Sequence, residues 1–173
     1  MLKKVLFLLV ICSAGVIFFY LQFAKVSSDT PCAFCDKEIL SRQKFYEDDV
    51  VIALYTHKPI VPSHFLIIPK RHVERLEMLS QEEILHIHQV IQKVNGASNK
   101  VFHTSAYLIH QKNGSEMGQS VPHVHFHLIA KQSKDSSSFK FFVNMIIANV
   151  CSPISSEAMQ QVTDEMKMAM DVI

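Results

Sequence analysis

The chain has almost no net charge: 17 Lys and Arg stand against 16 Asp and Glu in 173 residues. The basic residues are scattered, so neither a nucleic-acid-binding stripe nor an acidic tail is encoded, and a nucleic-acid polymer is not an expected partner. Cysteine is scarce too. Cys12, Cys32, Cys35 and Cys151 are too few for the disulfide framework of a small secreted scaffold. Internal repeats and long low-complexity tracts are absent, which excludes repeat architectures. The length suits one compact domain with an appendage and a core of useful size.

Charge is missing from one further place. Val5 to Ala24 is an uncharged run in which Gln22 is the only strongly polar side chain. About twenty residues of helix cross a bilayer core, whereas the apolar region of a cleaved signal is about 7–15 residues long. Gln22 also stands where a cleavage site wants a small residue, and Ile11 before Cys12 spoils a lipoprotein-type site. Residues 1–25 are therefore expected to form an uncleaved single-pass membrane anchor, with residues 26–31 as a polar linker. Lys3 and Lys4 ahead of the run, against Lys25 just behind it, favour an N-terminus in the cytoplasm and a domain outside it.

Against these absences stands one dense stretch. From Gln119 to Ala130 the chain reads Gln-Ser-Val-Pro-His-Val-His-Phe-His-Leu-Ile-Ala. His123, His125 and His127 alternate with Val124, Phe126 and Leu128, the period-two pattern of a half-buried strand. Imidazoles on one strand face stand about 7 Å apart, close enough for two to serve one phosphate and the third a neighbouring site. Cys32 and Cys35 are two thiols at metal-ligand spacing, suited to tetrahedral zinc with two further ligands, or alternatively to a disulfide in an oxidising compartment.

Other elements follow from pattern. Val50 to Tyr55, Phe65 to Ile68 and Ala106 to Ile109 read as strands, with Pro59 and Pro62 in a loop. Ser80 and Glu83 form a capping box, Ile84, Ile87, Ile91 and Val94 recur at helical spacing, and Asn95-Gly96 is read as the end of that helix. His86 and His88 on it do not share a face and are read as structural or solvated. Phe139 to Val150 fits either helix or strand. A last helix is expected from Ser155 or Ser156 to Ile173, with Met159, Val162, Met166 and Met170 as an apolar stripe for packing or a dimer contact.

The triad, preceded by Gly118-Gln119-Ser120-Val121, closely resembles the histidine triad (HIT) family of nucleotide hydrolases and transferases. Ser63-His-Phe-Leu-Ile-Ile-Pro-Lys-Arg-His72 and the loop Asn113 to Val121 resemble two further blocks of that family. The resemblance implies an α+β fold, a largely antiparallel sheet with a packed helix, over residues 32–134, commonly as a homodimer; residues 135–173 would be a C-terminal extension. It implies a small-molecule nucleotide substrate and hydrolysis, since transferase branches typically carry Gln at the third triad position. By the same resemblance His125 is the nucleophile, His127 serves the leaving group and His64 supports them. Asn113, Gly118, Gln119 and Ser120 would hold phosphate. Cys32 and Cys35 would complete a structural zinc site with His72 and His123.

Two departures bear on the nucleoside. Many members carry Asp where this chain has Thr56, and Asn where it has Lys112. They keep open a second reading, a nucleotide-binding or scaffold module with little turnover.

Overall fold

The computed structural model describes residues 31–131, 137–148 and 151–171. The expected anchor lies outside them, as does the expected linker apart from Pro31. Among the described residues no helix is long and apolar enough to cross a membrane.

Five strands form one antiparallel sheet: β1 (Lys44–Glu47), β2 (Val51–Tyr55), β3 (His64–Pro69), β4 (Tyr107–Gln111) and β5 (Phe126–Ala130), in the order β1-β2-β3-β5-β4. Among the described residues four α-helices accompany them: α1 (Lys37–Gln43), α2 (Gln81–Phe102), α3 (Ser138–Ile147) and α4 (Ser156–Met170). The architecture is α+β with packed helices, as expected.

Both faces of the sheet are covered, which is why β2 and β3 read as unbroken apolar runs. One face carries Ala53, Tyr55, Phe65, Ile67 and Leu128, packed under Ile87, Val90 and Val94 of α2 and Met159 and Met166 of α4. The methionine stripe is thus a packing stripe. On the other face Ile52, Leu54, Leu66 and Ile68 meet Phe34 and Leu40, and Ile60, Val61 and Ile129 meet Phe141 and Met145 of α3. The apolar segment that suited helix or strand is a helix.

Two boundaries differ from the pattern. Helix α2 has the Ser80–Glu83 capping box but runs through Asn95-Gly96 to Phe102, ending at His103 in a left-handed conformation (φ 55°). A glycine inside a helix costs about 1 kcal/mol, and burial of Ala97 and Val94 at 0% exposure outweighs it. The histidine strand starts late. His123 and His125 precede β5, because the Val124 N–H donates to the Val73 carbonyl (2.7 Å) rather than to a ladder partner. His86 proves structural: its Nε2 meets Asp48 Oδ2 at 2.8 Å, while Asp48 Oδ1 accepts from Val50 and Val51 N–H and holds the β1–β2 turn.

Candidate active site and metal centre

The register of the sheet assembles the imidazoles. His127 on β5 lies opposite Leu66 of β3 and His110 of β4, so all three share one face with His64, two residues before Leu66. That face floors a cavity of about 780 Å³, whose polar lining includes His64, His110, His125, His127, Lys112 and Ser120. Apolar side chains, among them Phe34, Ile39, Ile60, Met145, Ile154 and Met159, line it as well. Thr56, 7% exposed, is also among the lining residues.

The hydrogen bonds fix the tautomers. His64 Nδ1 accepts from the Ile60 N–H (3.2 Å), so its Nε2 carries the proton and donates to His127 Nδ1 at 2.9 Å. His127 therefore carries its own proton on Nε2. His125 is oriented the other way round: its Nδ1 lies 2.7 Å from the His123 carbonyl, to which it donates, leaving the Nε2 lone pair available. The His125 and His127 rings meet edge to face at 5.0 Å, and His110 stacks on His127 at 4.2 Å with 14° between planes.

Electrostatics keep this group neutral. Burial, reinforced by His110 and His125, lowers His64 to about 3. Burial and the neighbouring histidines hold His127 far below the usual imidazole range, and burial lowers His125 and His110 as well. The site is thus a set of uncharged imidazole donors and acceptors in a cavity that Lys112, Lys58 and Arg42 also line.

The phosphate-loop residues divide their work. Gln119 is buried, its Oε1 accepting from Gly114 N–H (2.7 Å) and its Nε2 donating to the Glu74 carbonyl (2.8 Å). Asn113 Oδ1 accepts from Leu76 N–H (2.9 Å) and Gln111 Nε2 (3.0 Å), and Asn113 does not line the cavity. Gly118, at φ 77°, closes the turn Ser115–Met117, a left-handed conformation that favours glycine. Its N–H donates to Ser115 and that of Gln119 to Gly114. Gln119 and Asn113 shape the loop; Ser120 is exposed and lines the cavity.

The metal-ligand candidates converge separately. Cys32, Cys35, His72 and His123 bring one ligand atom each to within 4.8 Å of one another. His123 Nδ1 stands 3.4 Å from Cys32 Sγ and 3.8 Å from Cys35 Sγ, and His72 Nδ1 stands 3.5 Å from Cys35 Sγ. With bonds of about 2.3 Å to sulfur and about 2.05 Å to nitrogen, a tetrahedral ion has sulfur–nitrogen edges of about 3.6 Å. His123 Nε2 donates to the Pro69 carbonyl (2.9 Å), which directs the Nδ1 lone pair at the thiols. Both thiols are free, and burial, then the hydrogen bond with Cys35, pushes Cys32 up to about 11. These four residues can hold a metal ion, and the donor set fits one.

Sequence reasoning missed four contributors. Phe34, inside the Cys-x-x-Cys turn, stacks edge-on to His125 (5.1 Å) and His123 (6.1 Å). Met145 and Ile154 come from the C-terminal extension, whose backbone is tied in by Ile154 N–H to the His57 carbonyl (3.0 Å). His110 carried a signal: Leu108, His110 and Lys112 alternate as one strand face.

Residues 37–134, more than half of the chain, match the HIT domain family. The chain is similar to an asymmetrical bis(5'-nucleosyl)-tetraphosphatase of Schizosaccharomyces pombe, 40% identical over 55% of this chain and 52% of that protein. It thus spans about half the length of that relative. It is also similar to a bis(5'-adenosyl)-triphosphatase of Dictyostelium discoideum, 28% identical over 71% of this chain and 82% of that one. The crystal structure of a Hit-like protein from Bartonella henselae covers 73% of this chain and 85% of its own, at 25% identity and a TM-score of 0.61.

Proposed function

The chain belongs to the HIT domain family, and we propose that it hydrolyses nucleotides, cleaving a dinucleoside polyphosphate, nucleotidyl ester or phosphoramidate through a covalent nucleotidyl-histidine. The observation that carries this reading is the opposed tautomer pair. His125 offers a lone pair on Nε2, and its neighbour His127 offers an N–H on Nε2. The names of the relatives from Schizosaccharomyces pombe and Dictyostelium discoideum, both hydrolases of nucleoside polyphosphates, support the same class.

His125 Nε2 attacks the α-phosphorus. The nitrogen–phosphorus bond forms as the bond from phosphorus to the bridging oxygen breaks, and that electron pair leaves with the oxygen. The imidazole becomes cationic, and its Nδ1–H bond to the His123 carbonyl strengthens accordingly. His127 Nε2–H donates a hydrogen bond to the bridging oxygen. Because His127 is held neutral, it stabilises developing charge rather than giving up a full proton, which suits a phosphate leaving group. Ser120 faces the phosphoryl oxygens. Water then attacks phosphorus, the nitrogen–phosphorus bond breaks with its pair returning to His125, and the water proton passes to solvent.

Cys32, Cys35, His72 and His123 hold structural zinc in this reading. The ion would supply a cross-link from the N-terminal turn to the catalytic strand and convert the thiols to thiolates. Nearly tetrahedral edges and the imidazole orientation support zinc. Tyr107, Leu108 and Ile109, exposed on the edge strand β4, support a homodimer, since an apolar strand edge invites pairing.

The test is to incubate the purified full chain with diadenosine tetraphosphate, quench it under alkaline denaturing conditions that preserve the acid-labile nitrogen–phosphorus bond, and map adducts by mass spectrometry. A nucleotidyl adduct on His125 is expected. Turnover without an adduct, and with His125→Asn slowed only a few-fold, would overturn the covalent mechanism. Binding without any turnover would leave the module reading, which Thr56 in place of a ribose-chelating carboxylate favours.

A further inference from the structure

The triad face of the sheet has a second row that the mechanism above does not use. His110 closes β4 one residue from its end, and Lys112 follows two residues on, so both point to the cavity that His127 faces. His110 lies directly across from His127 in the strand register, ring on ring at 4.2 Å. The Lys112 ammonium lies over the phosphate loop: a Cβ placed on Gly118 would stand 3.5 Å from its Nζ.

The charge around that ammonium is one-sided. Arg42, Lys58 and Lys112 line the cavity together with five histidines, and no Asp or Glu is among the residues that line it. Among the described residues Lys112 forms no ion pair, whereas Arg42 is paired with Glu38 (3.0 Å). A half-buried ammonium without a counter-charge, aimed into a cavity floored by neutral imidazoles, is a site waiting for an anion. It lines the same cavity as His127, whose Nε2–H addresses the bridging oxygen in the hydrolase reading. The anion next to it is therefore part of the leaving group.

We propose that Lys112 and His110 form a subsite for a phosphate group of the leaving moiety, so that this chain selects substrates with a polyphosphate chain over those whose leaving group is an amine or an uncharged alcohol. Lys112 supplies the charge and His110 a ring N–H at the flank of the same phosphate. Both are specificity residues rather than catalytic ones, since neither touches the α-phosphorus. The proposal rests on the hydrolase reading for its meaning in turnover, but the anion subsite itself does not need turnover to be detected.

The experiment compares the full chain with Lys112→Gln, which removes the charge, and Lys112→Arg, which keeps it. Two readouts are taken: binding of inorganic tripolyphosphate by calorimetry, and the ratio of kcat/KM for diadenosine tetraphosphate to that for adenosine 5'-phosphoramidate. A charge-assisted contact of this kind is expected to change both by about 30-fold in Lys112→Gln. Lys112→Arg should recover most of each, and raised salt should weaken wild-type binding far more than that of Lys112→Gln. If the selectivity ratio and tripolyphosphate affinity of Lys112→Gln stay within about twofold of wild type, the subsite is wrong while the hydrolase reading stands. If wild type turns over neither substrate, the hydrolase reading fails, and loss of tripolyphosphate binding in Lys112→Gln still decides the subsite.

Discussion

His123 and His127 are four residues apart and serve two clusters that share one residue type and little else. Around His123 the backbone takes the Nε2 proton, through the Pro69 carbonyl, and leaves Nδ1 to the thiols of Cys32 and Cys35. Around His125 and His127 the far nitrogens are fixed at Nδ1, by the His123 carbonyl and by His64, and Nε2 faces the cavity. The two clusters differ in which nitrogen a neighbour has captured, and that leaves Nδ1 free towards the thiols in one and Nε2 free towards the cavity in the other. The soft, closed set suits an ion; the open, all-nitrogen set suits phosphorus.

Separating the two clusters by mutation gives the largest expected effect. His125→Asn should lower kcat/KM by about 10³ or more, the loss expected of a nucleophile, while metal content and melting temperature hold. The converse change, His123→Asn, should lose the metal and lower the melting temperature. If His125→Asn also lost metal, measured by plasma emission on the purified full chain, the division into two clusters would be wrong.

Breaking the metal cluster is next. In Cys32→Ser or His72→Ala about one equivalent of zinc should be lost and the melting temperature should drop on the order of 10 °C, the effect of removing a tightly bound ligand from a domain of this size. A wild-type protein that contains no zinc and melts at the same temperature as Cys32→Ser would sink the structural-zinc reading.

Much of this was legible because it is local. The alternation of His123, His125 and His127, the Cys-x-x-Cys spacing and the capping box at Ser80 are short-range patterns, and the structure has that box. What stayed hidden depends on contacts remote in sequence. The packing of Ala97 against the sheet carries α2 past Gly96. The Val73 carbonyl delays β5, and no spacing rule joins Val73 to Val124. Phe34 was passed over because its partners lie some ninety residues on, and the sequence marks only the thiols flanking it.

A smaller effect is expected from acid. His64 is held at about 3 by burial, below the ordinary 6.5, so the unfolded chain binds a proton that the folded chain refuses. The sign follows: its contribution to stability is full above pH 6.5 and is lost progressively as pH falls towards about 3. His127, depressed for the same reason, adds to the slope. Acid also strips metal from thiolates and imidazoles, so the comparison must be made twice. The melting temperature of Cys32→Ser, already free of metal, should still fall between pH 6.5 and 4; a flat curve there would show that the histidine face is not the source.

The smallest expected effect concerns Phe34, a side chain that touches both clusters. Phe34 is carried by the single turn Ala33–Cys35 between the two thiols, and its ring edge meets His123 at 6.1 Å and His125 at 5.1 Å. A metal ion at the thiols would fix the turn, the turn would fix the ring, and the ring lies edge-on against His125. Leu at this position keeps apolar volume but loses the edge-to-face contact, worth about 0.5–1.5 kcal/mol for an aromatic pair. If that contact positions His125, Phe34→Leu should lower kcat/KM about threefold, with zinc content and the pH profile unchanged. Chelating the metal from wild type should then cost at least as much activity as Phe34→Leu, and little further in the Phe34→Leu background. Additive losses would mean that the two clusters are neighbours without a mechanical link, and that Phe34 merely fills space.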